Sequence, residues 1–262
     1  MGEEPREQNM HTVMDALAEL MKEQSYDYII GITGFETVFC ALMPVQQKWL
    51  RNLCKERFND LVEIGSFVSF GISYYDSIID TINVKKGGET DLDSWNLYGD
   101  EYSRLNEMLD TIASKLASRF DGISIPATLH GLAGKIENVT DYYGRTISHR
   151  AVAERAGLGW RGKNGLLINH RFGCAVRFAS VAVTLPLDAS EEVEYACGDC
   201  TACEDACTFI KHRVVLPDYR ENCRRYIANL RKKGLKKDVC GKCIQACIRN
   251  GIHATSFELR AE

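Results

Sequence analysis

Apolar residues recur at helical spacing in several stretches of the chain. Between residues 10 and 23, Val13, Met14, Leu17, Leu20 and Met21 fall three or four apart, which predicts an amphipathic helix. Val45 to Arg57 reads the same way. Glu101 to Arg119 is the clearest case, with Leu105, Met108, Leu109, Ile112 and Leu116 on one face. Other stretches follow a period of two or form short apolar runs. Tyr28 to Thr33 predicts a buried strand. Phe67 to Tyr74 sets Phe67, Ser69 and Gly71 against Val68, Phe70 and Ile72, as a strand does. Gly165 to Asn169 and Ala175 to Thr184 predict two more strands, joined through His170-Arg171-Phe172-Gly173. Between them and the long helix, Ser148 is placed to cap a short helix that runs through Ala156 and stops at Gly157. Lys85 to Asp91 is polar and glycine-rich, a loop. The mixture predicts an α/β or α+β domain over residues 1–187, with an acidic linker at Pro186 to Glu194. A second domain, over residues 188–262, has its structure dictated by cysteine spacing.

Composition narrows the classes. The 262 residues are 45% hydrophobic, enough to bury a core, and the net charge of -4 gives no global attraction to nucleic acid. No apolar run approaches the roughly 20 residues of a membrane span. The opening MGEEPREQNM has no basic n-region and no apolar h-region, so no signal peptide is visible and a cytoplasmic location is expected. One basic run, Arg231 to Lys237, reads as a solvated turn, or as a docking patch for an acidic electron donor or for RNA phosphates.

Eight of the eleven cysteines lie between Cys197 and Cys247. Cys197, Cys200, Cys203 and Cys207 form a C-x2-C-x2-C-x3-C run, Cys223 stands alone, and Cys240, Cys243 and Cys247 form C-x2-C-x3-C. Paired zinc knuckles would need two separated C-x2-4-C units, and four cysteines in eleven residues suit a cubane better than one tetrahedral ion. Disulfides suit secreted domains. In two-cluster ferredoxin modules the fourth cysteine of a run ligates the other cluster. That rule puts one [4Fe–4S] cluster on Cys197, Cys200, Cys203 and Cys247. It puts the second on Cys207, Cys223, Cys240 and Cys243. The runs lack the usual terminal proline, since Thr208 and Ile248 follow Cys207 and Cys247. Cys40, Cys54 and Cys174 lie outside the pattern and read as isolated buried thiols.

Gly157-Leu-Gly159-Trp160-Arg-Gly162-Lys163-Asn164 fits G-x-G-x-x-G and nearly fits a phosphate-binding loop. Both motifs require a strand before and a helix after. Here the predicted order is the reverse, and Asn164 replaces the hydroxyl that would hold Mg²⁺. Two readings remain. Three glycines allow backbone to approach a large flat ligand, with Trp160 as an aromatic plate and Lys163 as a polar contact. Otherwise the stretch is a tight helix-to-strand connection with Trp160 in the core.

The stretch Ser148 to Leu187, and above all AGLGW-x-GKN-x-LLI, resembles the epoxyqueuosine reductase family, and the downstream cysteine order resembles it too. Tyr98-Gly99-Asp100-Glu101-Tyr102 is a weaker likeness. The resemblance implies an oxidoreductase in which two [4Fe–4S] clusters pass low-potential electrons to a bound cobalamin that reduces a substrate. Gly157, Gly159, Trp160, Gly162, Lys163 and Asn164 would then border the corrinoid. His149 would be its lower ligand, a proton donor, or an ordinary residue at the start of a helix. The family's acidic position before the glycine stretch is Tyr143 here, with Asp141 offset by two, so these are the candidate catalytic residues. The electron donor would be a ferredoxin or flavodoxin. The substrate would be a small molecule, a modified nucleoside or another protein's corrinoid. Only about 15 residues follow Cys247, where full reductases continue into a helical-repeat region, so tRNA is a doubtful partner. The alternative is an electron-transfer protein with two clusters and no corrinoid chemistry of its own, and a weaker one is a nucleotide-dependent reductase using Lys163.

Overall fold

The structure is a computed structural model that describes residues 3–127, 143–216 and 218–251, with side chains from residue 6 onward. Its frame is a four-stranded sheet made of β1 (Tyr28–Gly34), β2 (Ser66–Ser73), β3 (Ile123–Ile125) and β4 (Val176–Val183). The order is β1-β2-β4-β3 and every pairing is antiparallel. Helices cover both faces. On one face lie α1 (Glu3–Met21) and the long α6 (Leu92–Arg119), which close a core with Val68, Phe70, Ile72, Val181 and Val183. On the other lie α2 (Phe35–Ala41), α3 (Pro44–Cys54), α4 (Phe58–Ile64) and α7 (His149–Arg155), packed on Phe67, Ile125 and Ala182. A single turn, α5 (Asp76–Ile79), follows β2.

The alternation in β2 therefore separates two buried faces, not a wet face from a dry one. The elements expected from periodicity are present with shifted ends. The long helix starts at Leu92, nine residues before the apolar stripe becomes clear, because the Asp91 carboxylate accepts from the backbone N–H groups of Asp93 and Ser94 at 3.1 and 3.3 Å. The strand expected over 165–169 is reduced to Leu167–Ile168, paired with Trp160–Arg161 in a small hairpin. Ser148 stands at the N-cap of α7 but its side chain makes no capping bond. The short α2, α4, α5 and β3 have too few periodic residues to be read from the sequence.

The C-terminal part is helical: α8 (Ala202–Asp205), α9 (Thr208–Lys211), α10 (Tyr219–Lys232) and α11 (Lys242–Asn250). Leu230, Leu235 and Ile248 join the same core as α1 and α6. The basic run before α11 is latched down by Asn96, whose amide donates to Gly234 O at 3.2 Å and accepts from Lys236 N at 2.7 Å. Among the described residues, no helix is long and apolar enough to cross a membrane.

Candidate iron–sulfur centre

Each cysteine is carried by a local device. Gly198 and Gly241 sit in the left-handed region, with φ of 46° and 76°, and turn the chain between the paired cysteines around them. At Gly241 the space for a side chain is filled by the Tyr98 ring, 2.8 Å from where a Cβ would stand. Cys203 lies in α8, Cys207 caps α9, and Cys223 lies in α10. Cys243 and Cys247 are one turn apart on α11, about 6 Å along its axis, so one helix serves both groups.

Several of the candidate ligand thiols lie near one another. Cys203 lies within electrostatic reach of Cys247, Cys197 and Cys200. Cys223 faces Cys240 and Cys207, and Cys243 faces Cys240, Cys223 and Cys207, with Cys203 further off. Burial, then the neighbouring sulfurs, pushes Cys203 up to about 11 and Cys223 up to about 12. Buried thiols crowded in this way resist ionisation until a cation compensates them, which is the donor chemistry of iron–sulfur ligation. Among the described residues, no three His, Cys, Asp or Glu side chains are arranged to hold a metal ion.

Both quartets are tied to the sheet domain. The Trp95 indole donates to Cys240 O at 2.8 Å. Lys163 Nζ donates to Cys200 O at 3.0 Å, and the Trp160 indole donates to Cys197 Sγ at 3.3 Å. An open cavity of about 730 Å³ lies beside the first quartet, lined by Cys197, Asp199, Cys200, Asp205, Ala246 and Asn250.

The glycine stretch behaves as the tight connection, not as the platform. A Cβ on Gly157 would meet Glu191 O at 2.1 Å, one on Gly159 Ile168 O at 2.0 Å, and one on Gly162 Ile168 Cδ1 at 2.2 Å. On the side where each Cβ would stand, these glycines meet the protein's own chain. Trp160 is 3% exposed and packs with Ile168, Cys174, Cys197 and Cys247. Asn164 is buried and holds Leu166 N at 3.0 Å. None of these residues lines the cavity. A helix precedes the stretch and a hairpin follows, so the nucleotide-loop reading has no support. His149 is buried, with Nδ1 3.0 Å from Ser180 Oγ and Nε2 3.1 Å from Pro126 O, which leaves neither ring nitrogen for a metal. Its place at the start of α7 is the ordinary structural one. Tyr143 Oη accepts from Arg220 Nη1 at 2.9 Å, while Asp141 lies outside the described residues.

Sequence reasoning missed Cys174, read as an isolated buried thiol. It packs with Cys247 in one buried cluster and accepts from Asn164 Nδ2 at 3.6 Å. It also missed Arg220 on Tyr143. Neither pairing leaves a signal in spacing, because each is made by the fold across distant segments.

No family model matches the chain. Curated proteins do. The epoxyqueuosine reductase of Staphylococcus aureus is 27% identical over 143 residues, 54% of this chain and 34% of that one. That of Lactococcus garvieae is 38% identical over 78 residues, 30% of this chain and 21% of that one. A solved epoxyqueuosine reductase aligns with a TM-score of 0.44 at 22% identity, covering 77% of this chain and 53% of that one. Another, with a TM-score of 0.43 at 23% identity, covers the same shares and holds an epoxyqueuosine-modified tRNA stem loop. The chain thus spans about a third of the length of the first curated relative and about half of the solved ones. Against the doubt about tRNA as a partner stands that complex, in which the solved epoxyqueuosine reductase holds a modified tRNA stem loop.

Proposed function

We propose that this chain is an iron–sulfur reductase of the epoxyqueuosine reductase type, acting on an epoxyqueuosine-modified tRNA. The observation that carries this is the sorting of eight thiols into two quartets, with Cys247 facing Cys203 and Cys243 facing Cys207 and Cys223. Cys197, Cys200, Cys203 and Cys247 would hold one [4Fe–4S] cluster, and Cys207, Cys223, Cys240 and Cys243 the other. Such clusters supply single electrons, drawn from a low-potential donor.

The protein's own groups fix and shield these ligands. Lys163 and Trp95 hold the backbone carbonyls of Cys200 and Cys240, so the quartets keep their position against the sheet. Cys197, Cys203 and Cys247 are buried, while Cys200 is half-buried at the open cavity. Removing an epoxide oxygen as water consumes two electrons and two protons. Tyr143 stands where the resemblance places the general acid, and Arg220 donates to its oxygen, so the phenol keeps its own proton to give. The resemblance also implies a corrinoid. The residues expected to border it are engaged by the protein's own chain and do not fit that role, so no step is derived through it.

That engagement favours a second reading, in which the chain transfers electrons and performs no corrinoid chemistry. One experiment separates the two. The full chain is loaded with iron anaerobically, titrated with cobalamin under EPR, then reduced and given an epoxyqueuosine-containing tRNA stem loop. Roughly eight irons per chain and loss of one oxygen from the nucleoside by mass spectrometry are the expected results. Full iron with no conversion, with or without cobalamin, leaves the electron-transfer reading.

A further inference from the structure

Behind the first quartet lies a closed group of side chains that the cluster reading does not by itself require. Trp160, Ile168, Cys174, Cys197 and Cys247 form one buried apolar cluster, and each of the five is at most 6% exposed. Polar hydrogens in and around it point at sulfur. The Trp160 indole N–H reaches Cys197 Sγ at 3.3 Å, and indole has no other polar hydrogen. Cys174 packs in the same buried cluster as Cys247, with its thiol beside the Cys247 sulfur. Asn164 Nδ2 lies 3.6 Å from Cys174 Sγ and donates to it. Occupying the acceptor side of Cys174 in this way leaves its S–H to donate toward Cys247.

The hairpin that carries these groups is built to hold them still. Gly159 and Gly162 press against Ile168, and Asn164 pins Leu166. A tryptophan buried to this extent is ordinary core. A tryptophan whose N–H ends on a thiol of a ligand quartet is not, because an apolar residue of similar volume would fill the space as well.

We propose that Trp160 and Cys174 set the reduction potential of the cluster on Cys197, Cys200, Cys203 and Cys247 by donating hydrogen bonds to two of its thiolates. This rests on the two-cluster reading. Reduction adds one electron, delivered in the assay by dithionite. It breaks no bond and moves no proton from either donor. The added negative charge spreads onto the sulfurs, so a hydrogen-bond donor stabilises the reduced form more than the oxidised one and raises the potential. Trp160 and Cys174 are themselves buried, and buried donors act in a lower dielectric, where their effect is strengthened. Around the second quartet the Trp95 indole donates to the Cys240 carbonyl and not to sulfur. The effect is confined to the first cluster, whose potential these two donors raise.

The test is an EPR-monitored redox titration of the full, iron-loaded chain. Trp160→Phe and Cys174→Ala each remove a donor, and Cys174→Ser restores one. The expected result is a fall of at least tenfold in the reduction equilibrium of one cluster, about 59 mV for a one-electron couple. The other cluster's midpoint stays fixed, iron content stays at the wild-type level, and Cys174→Ser recovers most of the shift. Unchanged midpoints in both Trp160→Phe and Cys174→Ala, with iron retained, overturn the proposal. Equal shifts of both clusters overturn it too. Loss of the cluster itself in both variants also overturns it, since the side chains would then build the site and not tune it. A wild-type chain that takes up no clusters is a different failure, that of the two-cluster reading.

Discussion

At His149, burial, with the Arg177 charge adding to it, pushes the imidazole down to about 4. Its ordinary value is 6.5. The unfolded chain therefore binds a proton that the folded chain refuses. Stability from this residue is complete above pH 6.5 and is lost as pH falls toward 4. Urea midpoints measured across that window should be level at the upper end and drop at the lower. His149→Gln should flatten the drop, at some overall loss because the paired Ser180 and Pro126 groups lose a matched partner. Nothing in the sequence distinguishes this histidine from a ligand, since its two partners come from strand β4 and from the end of β3. The cysteines are the opposite case. Their spacing alone is enough to propose two quartets, because a cluster fixes the intervals between its ligands. Trp160 falls between these cases: the motif showed that it mattered and left its partner, 37 residues away, unspecified.

Among the elements, the long helix α6 shows how one carboxylate sets a boundary. Asp91 caps it, with hydrogen bonds to Asp93 N, Ser94 N and Ser94 Oγ. Asp91→Ala should lower unfolding stability by ~1 kcal/mol. The early turns of α6 carry Trp95 and Asn96, so the same variant should weaken the latch on Gly234 and Lys236. Hydrogen exchange over 231–240 would register that, whereas exchange in β2 should not change. The apolar stripe made most of this helix visible. Its first turns were hidden because Leu92 to Glu101 mixes aromatic and polar residues without a clear face. The glycine stretch left two readings open for a related reason. Closely spaced glycines signal close approach, and sequence does not say whether the approaching surface is a ligand or, as here, the chain's own Ile168 and Glu191.

Over the whole molecule, the cysteine-rich part is not a detachable appendage, since Leu230, Leu235 and Ile248 complete the core beneath α1 and α6. Cys203→Ala should remove about half of the bound iron and also lower the melting temperature of the entire chain, because ligation and core packing share α11. Full iron with an unchanged melting temperature would dismiss Cys203 as a ligand. The acidic linker contributes to the same unity. The stretch expected to be a spacer lies against the outer edge of β1, where Ile32 N donates to Ser190 Oγ at 3.0 Å and Ser190 N donates to Ile32 O at 2.9 Å. β1 is a terminal strand of the sheet, and an open strand edge invites pairing with another copy. The segment leading into Cys197 therefore doubles as a guard against self-association. A chain that loses its iron and lets this segment drift would bare that edge, so cluster damage by oxygen should be followed by intermolecular strand addition and precipitation before the sheet itself melts.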